Sequence, residues 1–381
     1  PIFTGKVNLN GNLLVSFYAP YGENLPFKNS GWDQLRIYFP FYKITLDSIK
    51  NFEVPLWNPY AFSGHPHMAD FQSAVFYPLN VFGLFLPQIE FWHLLRITPS
   101  ILAAFFTFLY LSSGLKLSRP ASIFGALTFG FSPFILTWGE EVVLSPHSIV
   151  WLPLILFGIE KFLAQAHPRG VRAHLGGVAG RMYLVIIALA TASSLFGGYM
   201  QTTIYMFMFV GAYLAFRILH LEGVKAHLRG VLMLLGAFVL GIGIAAVQLL
   251  PSAELFFNAA RSEVSLREQL FNFLLPIESV FTYLAPDFFG HPATHNFFRF
   301  GDAQYYEGIL FVGVAALIFA GYELLTSFSH LEGVKAHLRG DSGLAKFLAI
   351  SGLVALLSTI DWFGAKLLLS LPIPFLLTSI P

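Results

Sequence analysis

From residue 91 onward the chain repeats one pattern: an apolar run, a short polar break, then another apolar run. Candidate spans fall at 91–112, 119–138, 148–164, 182–197, 201–219, 231–250, 308–326 and 345–360. Hydrocarbon offers no partners to backbone N–H and C=O groups, so runs of this kind cross a bilayer only as helices. Composition agrees. Of 381 residues 56% are hydrophobic and 11% charged, against roughly 25% charged in a soluble domain. The expected fold class is an all-α polytopic integral membrane protein. The chain starts at Pro1 and ends in IPFLLTSIP, and we read it as a fragment that lacks a first span and a C-terminal part.

Basic residues concentrate in one set of connections. Those at 113–119, 161–181, 217–229 and 335–346 hold twelve Lys and Arg. The opposite set, residues 1–90, 139–147 and 251–307, holds eight over a much greater length. The positive-inside rule therefore puts the long segments on the extracytoplasmic side. This gives an extracytoplasmic first loop over 1–90 and a transmembrane domain over 91–381, with outer loops at 139–147 and 251–307.

Chemistry is expected in the first loop. The chain has no cysteine, which excludes disulfides, thiol nucleophiles and Cys-ligated metals. No Gly-rich phosphate loop and no D-x-D pair for a nucleotide sugar is present. Asp33 stands beside Trp32 and Gln34 and ahead of Tyr38, Phe39, Phe41 and Tyr42. A carboxyl group against apolar walls has a raised pKa and suits a general base near neutrality; the competing reading is a solvated loop acid. Trp57, Asn58, His65, His67, Asp70 and Gln72 lie in a Pro- and Gly-shaped stretch and read as a hydrogen-bonding wall for a polar substrate. His65 and His67 with Asp70 also allow a divalent metal, although H-P-H is a weak signature. Trp and Tyr there also suit a lipid interface.

Arg96, near the outer end of the first candidate span, can reach a lipid phosphate or simply snorkel. Glu140, Glu141 and His147 read as a small acidic outer loop, and Gly198, Tyr199 and Gln201 as a hairpin tip. Arg299, Asp302, Gln304, Tyr305, Tyr306 and Glu307 fall in the last outer loop. The 11-mer HLEGVKAHLRG occurs at His220–Gly230 and again at His330–Gly340, with a degenerate copy at His167–Gly177. Three near-copies in basic connections read as inserted, dispensable loop sequence rather than as a metal site.

The order of motifs resembles a known family. D-Q-x-x-x-Y-x-P begins at Asp33, and P-L-W-N-P-Y-x-F-x-G-x-P-x-x-A-D-x-Q-S-A-x-F-Y-P spans Pro55–Pro78. G-G-Y-M-Q, L-A-P-D-F-F-G and Y-Y-E-G follow at 197–201, 284–290 and 305–308. This succession resembles the bacterial YfhO-like membrane proteins of the GT-C glycosyltransferase superfamily. The resemblance implies a GT-C-like helical bundle with a large first outer loop that carries a catalytic carboxylate, here Asp33. It also implies a sugar donor on polyprenyl phosphate and a cell-envelope glycan or polymer as acceptor, at the outer face of the bacterial cytoplasmic membrane. Arg96, Arg299, His65 and His67 are our candidates to face the leaving phosphate. No cofactor beyond a possible divalent metal is expected, and no nucleic-acid partner. Two rival readings are a lipid or oligosaccharide transporter, and a non-enzymatic envelope-assembly protein. A transporter would show polar residues inside its spans at midplane depth and paired inverted halves, and the sequence displays little of either.

Overall fold

The structure is a computed structural model that describes residues 5–7, 9, 33–61, 63–166, 178–220, 224–258, 274–294, 296–298, 305–328 and 342–370. The chain divides into two compact units, Pro1–Val264 and Ser265–Pro381.

Among the described residues of the first unit, a helix lies within the expected first loop. A π-helical turn, Gln34–Tyr38, runs into α1, Phe39–Lys50. Pro40 has no N–H to give the Arg36 carbonyl, and the wider turn lies just before it. Phe41, Tyr42, Thr45 and Leu46 are buried on one side of α1, the spacing of a helix face. On the other side Lys43 and Asp47 form an exposed pair at 2.7 Å. A two-residue hairpin follows, β1 Trp57–Asn58 against β2 His65–Pro66.

Six helices among the described residues are long and apolar enough to cross a membrane: α2 Gln88–Gly114, α3 Arg119–Glu141, α4 Leu144–Gln165, α5 Val178–Phe196, α6 Met200–Leu219 and α7 Leu228–Phe257. All six match expected spans, with ends moved by up to seven residues. The fold is that of an all-α multi-pass membrane protein. The HLEGVKAHLRG copy at His220–Gly230 differs from the expected loop: Val224–Gly230 is helical and leads into α7. The copies at 167–177 and 330–340 lie outside the described residues.

Close helix packing depends on small residues. Ala188, Ala190, Thr191, Ala192, Ser193 and Ser194 of α5 are buried, and α7 packs along α5. A Cβ added at Gly241 of α7 would sit 2.6 Å from the Ala188 carbonyl oxygen and 2.6 Å from Thr191 Cβ. Apolar side chains gain nothing by leaving lipid, so helices associate here through such close contact.

Polar groups meet near the ends of two of these helices. Arg217 near the end of α6 meets Glu160 of α4 in a bidentate pair, Nε–Oε1 2.6 Å and Nη2–Oε2 2.8 Å. Tyr213 donates its hydroxyl to Glu160 Oε1 at 2.5 Å, and Tyr110 donates to the Tyr213 oxygen at 3.0 Å. An ion pair in an apolar bundle is tolerated when its hydrogen-bonding capacity is filled in this way.

In the second unit the expected spans 308–326 and 345–360 appear as shorter apolar helices, within α8 Val314–Phe328 and α9 Ser342–Thr359. A last helix, α10, covers Phe363–Ser370. Leu275 pairs in parallel with Ile360. Thr282 Oγ1 donates to the Gly308 carbonyl at 2.8 Å and accepts from Leu310 N at 3.1 Å, which joins the 277–290 segment to the turn at Tyr305–Gly308.

Gly241→Ala is expected to lower the thermal unfolding midpoint of the detergent-purified chain, since overpacking costs about 1–3 kcal/mol. Gly243→Ala serves as the control, because an added Cβ there meets nothing within 4 Å, and its midpoint should hold or rise slightly.

Candidate functional site

One buried cluster ties the extramembrane segment to the heads of the spanning helices. It combines Tyr38, Tyr42 and Leu46 with Ala74 and Tyr77, Phe91, Trp92 and Leu95 of α2, Val142 and Val143, Leu144 of α4, and Tyr199. Gln88 Nε2 also donates to the Phe39 carbonyl at 3.1 Å. Gly198, at φ +86°, turns the chain between α5 and α6 against Ala74 and Leu144, where a side chain would be both strained and crowded.

At the centre of this junction is a helix defect and its repair. Pro99 lies inside α2 and is buried. It cannot donate to the carbonyl four residues back, that of Leu95. His147, fully buried on α4, fills the vacancy: its Nε2 is 2.9 Å from the Leu95 oxygen. A carbonyl only accepts, so Nε2 carries the proton. Nδ1 is then the acceptor, and Tyr77 donates its hydroxyl to it at 3.0 Å. Three segments, 71–77, α2 and α4, are joined by one imidazole. His147 is therefore a buried connector and not part of an exposed acidic loop.

Most of the predicted wall residues come together beside α1. His65 Nε2 and Asp70 Oδ2 are 3.0 Å apart, both partly exposed. Asp70 Oδ1 accepts from the Gln72 backbone N–H at 2.9 Å and caps the short turn Phe71–Ser73. Asn58 is buried, and its Oδ1 accepts from Tyr60 N at 2.9 Å. His67 is fully buried, with Nε2 2.9 Å from Thr45 Oγ1 and its ring against the Phe41 edge. Gln248 of α7 donates to the Met68 carbonyl at 2.6 Å and holds the wall to the bundle. Cross-strand pairs share a face, so Asn58 goes with His65, and Trp57 with Pro66. Trp57 is thus on the other face of the hairpin, 55% exposed, its indole against Gly64. Among the described residues no group of three or more His, Asp or Glu side chains is arranged to hold a metal ion.

Asp33 heads the π-helical turn before α1, half-buried, and makes no capping bond. Burial raises its pKa above the usual carboxylate range, and the Arg36 charge opposes that shift. Gln34 beside it is buried. Arg96, one turn beyond Trp92, donates to the Gly139 carbonyl, and its Nε is buried without a partner. It lines a cavity of about 150 Å³ with Pro99, Gly139, Glu140 and Pro146. Such a space is below the roughly 300–1,000 Å³ of small-molecule sites, but has room for water or one small polar group. None of residues 57–72 lines it. Gln201 accepts from the Tyr199 hydroxyl at 3.3 Å and donates to Tyr205 at 3.3 Å. In the second unit Tyr306 lies in the turn Tyr305–Gly308, where Tyr305 donates to Asp287 and packs on His291. Arg299, Asp302 and Gln304 lie outside the described residues.

Sequence reasoning missed the connection of Tyr77 and His147 to the Pro99 defect, and separately the tie from Gln248 to Met68. The available signals were Gln248 alone among apolar neighbours and a Ser-Pro-His-Ser stretch at the head of a span.

His147→Phe is expected to lower the unfolding midpoint, because it orphans the Leu95 carbonyl at about 1–3 kcal/mol and leaves the Tyr77 hydroxyl only the more distant backbone carbonyl of residue 147. Pro99→Ala restores an N–H for the Leu95 carbonyl, so the added cost of His147→Phe should be smaller in that background. A second expectation concerns acid. Burial pushes His67 down to about 4; Asp70 raises it and His65 lowers it, each by less. The unfolded chain takes this proton near pH 6.5 and the folded chain does not, so stability falls as pH drops from 6.5 toward 4. The midpoint should fall less over that range in His67→Gln, as followed by thermal unfolding at fixed ionic strength. No protein-family model, no curated protein and no solved structure matches this chain.

Proposed function

We propose that the chain is a membrane glycosyltransferase of the GT-C type, related to the YfhO-like proteins, working at the outer face of the bacterial cytoplasmic membrane. It would move a sugar from a polyprenyl-phosphate donor to a cell-envelope glycan or polymer. The observation that carries this reading is Asp33: a half-buried carboxyl with a raised pKa, on a helix packed onto the heads of the spanning helices. A lipid-linked donor keeps its tail in the bilayer, so its headgroup is met at such a junction.

In this scheme Asp33 takes the proton from an acceptor hydroxyl. The freed oxygen forms a bond to the anomeric carbon from the face opposite the phosphate. The carbon–oxygen bond to phosphate breaks, and its electron pair leaves with polyprenyl phosphate, which inverts the centre. Arg96 offsets the charge on the leaving group. His65, with its Asp70 partner, and Asn58 and Gln72 contribute polar contacts, and Trp57, exposed on the other face of the hairpin, is a candidate for stacking. Arg299, Tyr306 and Gln201 are further candidates for substrate contact.

A second reading, a lipid or oligosaccharide transporter, is favoured by one observation: the Glu160–Arg217–Tyr213–Tyr110 network toward one end of the spans. Charges in that position commonly mark a transport path. The two readings separate in proteoliposomes loaded with a radiolabelled polyprenyl-phosphate sugar and envelope glycan. Transfer should occur, and Asp33→Asn should slow it by about 10²–10⁴-fold, the range for loss of a general base. Undiminished transfer by a correctly inserted Asp33→Asn chain overturns the role of Asp33. Movement of the donor between leaflets without any transfer, lost in Glu160→Gln, establishes the transporter reading instead.

A further inference from the structure

We infer that residues 81–89 form an interfacial anchor, seated in the headgroup–acyl boundary of the leaflet at the end of the bundle where residues 33–87 pack. The stretch comprises the second half of the 3-10 helix Pro78–Leu84, a short link, and the first residues of α2. Its two sides differ sharply. Inward, Asn80 is buried and donates to the Ala74 and Val75 carbonyls at 2.7 and 2.9 Å. Gly83 rests on Leu46 of α1, and Leu79 and Leu86 pack on the junction core. Outward, Val81, Phe82, Leu84 and Ile89 are exposed, and Phe85 is 81% exposed. No charged residue occurs from Pro78 to Ile89.

An aqueous surface has no use for this patch; a lipid surface does, and three observations favour lipid as the occupant. The apolar surface does not stop at Pro87: Ile97, Ile101 and Phe105 of the spanning helix α2 are exposed too. The backbone is prepared for a medium with few partners. Phe85 and Leu86 N–H donate to the Phe82 carbonyl at 3.1 Å, and Pro78 and Pro87 carry no N–H. Finally, Lys50 stretches from the end of α1 to the Leu86 carbonyl at 3.1 Å, as a snorkelling amine does at the boundary. Two residues beyond it, Phe52 is fully exposed. A seven-residue 3-10 helix at about 2 Å per residue is too short to cross the core, so it lies in the boundary. This inference is independent of glycosyl transfer and holds equally for a transporter.

The absence of cysteine makes the test direct. Single Phe82→Cys, Phe85→Cys and Lys43→Cys chains each take one nitroxide, and the whole chain is reconstituted into phosphatidylcholine–phosphatidylglycerol vesicles. All three positions are exposed, and unfolding midpoints check that each variant is intact. Labels at 82 and 85 should relax with oxygen in preference to a water-soluble nickel chelate, at a depth of about 5–10 Å, while the label at 43 shows the reverse. Preference for the nickel chelate at 85 overturns the anchor by placing it in water. Protection from both reagents overturns it equally, because protein then covers the face.

Discussion

The junction between the polar segment and the membrane bundle depends on a missing N–H. Pro99 leaves the Leu95 carbonyl without its helical donor, and an unpaired carbonyl in an apolar interior is costly. The repair comes from outside the helix. His147 donates to it and is oriented by Tyr77, so α2, α4 and the 71–77 segment share one bonded centre. Everything placed near this end, from the α1 face to the His65–Asp70 pair, leans on a core that closes around that centre. The imidazole performs this task as a neutral group, since one nitrogen must donate and the other accept.

The candidate site divides into two neighbourhoods held by that common core. In one, α1 and the hairpin gather Asn58, His65, His67 and Asp70. In the other, Arg96 and Glu140 border a small cavity among α2, α3 and α4. Asp33 heads the helix whose next turns reach the core that also holds Trp92 and Leu95, one turn before Arg96. The proposal for sugar transfer asks these neighbourhoods to act on one substrate. The small size of the Arg96 cavity means that a headgroup must approach it from the surface rather than sink into it.

The spanning helices were legible because lipid imposes one simple rule, continuous apolarity over a fixed length, and the chain obeys it from Gln88 to Phe257. α1 was hidden for a local reason. Tyr38, Phe41, Tyr42, Thr45 and Leu46 keep helical spacing, but Pro40 and the surrounding aromatics read as a loop. That Trp57 takes the face opposite Asn58 and His65 follows from strand register, which two-residue strands do not announce. Long-range polar partners stayed invisible for a different reason. His147 meets Leu95 across 52 positions, and Arg217 meets Glu160 across 57. Such pairs exist only once helix packing is known. The catalytic reading of Asp33 began from apolar neighbours in sequence, and its partial burial is the part of that expectation the fold carries.

α4 bears two polar centres, His147 at its head and Glu160 near its foot. Thirteen residues at 1.5 Å each separate them by about 20 Å along the axis. The helix is therefore fastened at two heights, to α2 above and to α6 below. It cannot slide or turn by itself without parting a hydrogen bond at one level and an ion pair at the other. Any working motion of this bundle has to treat α2, α4 and α6 as one rigid piece and find its freedom elsewhere.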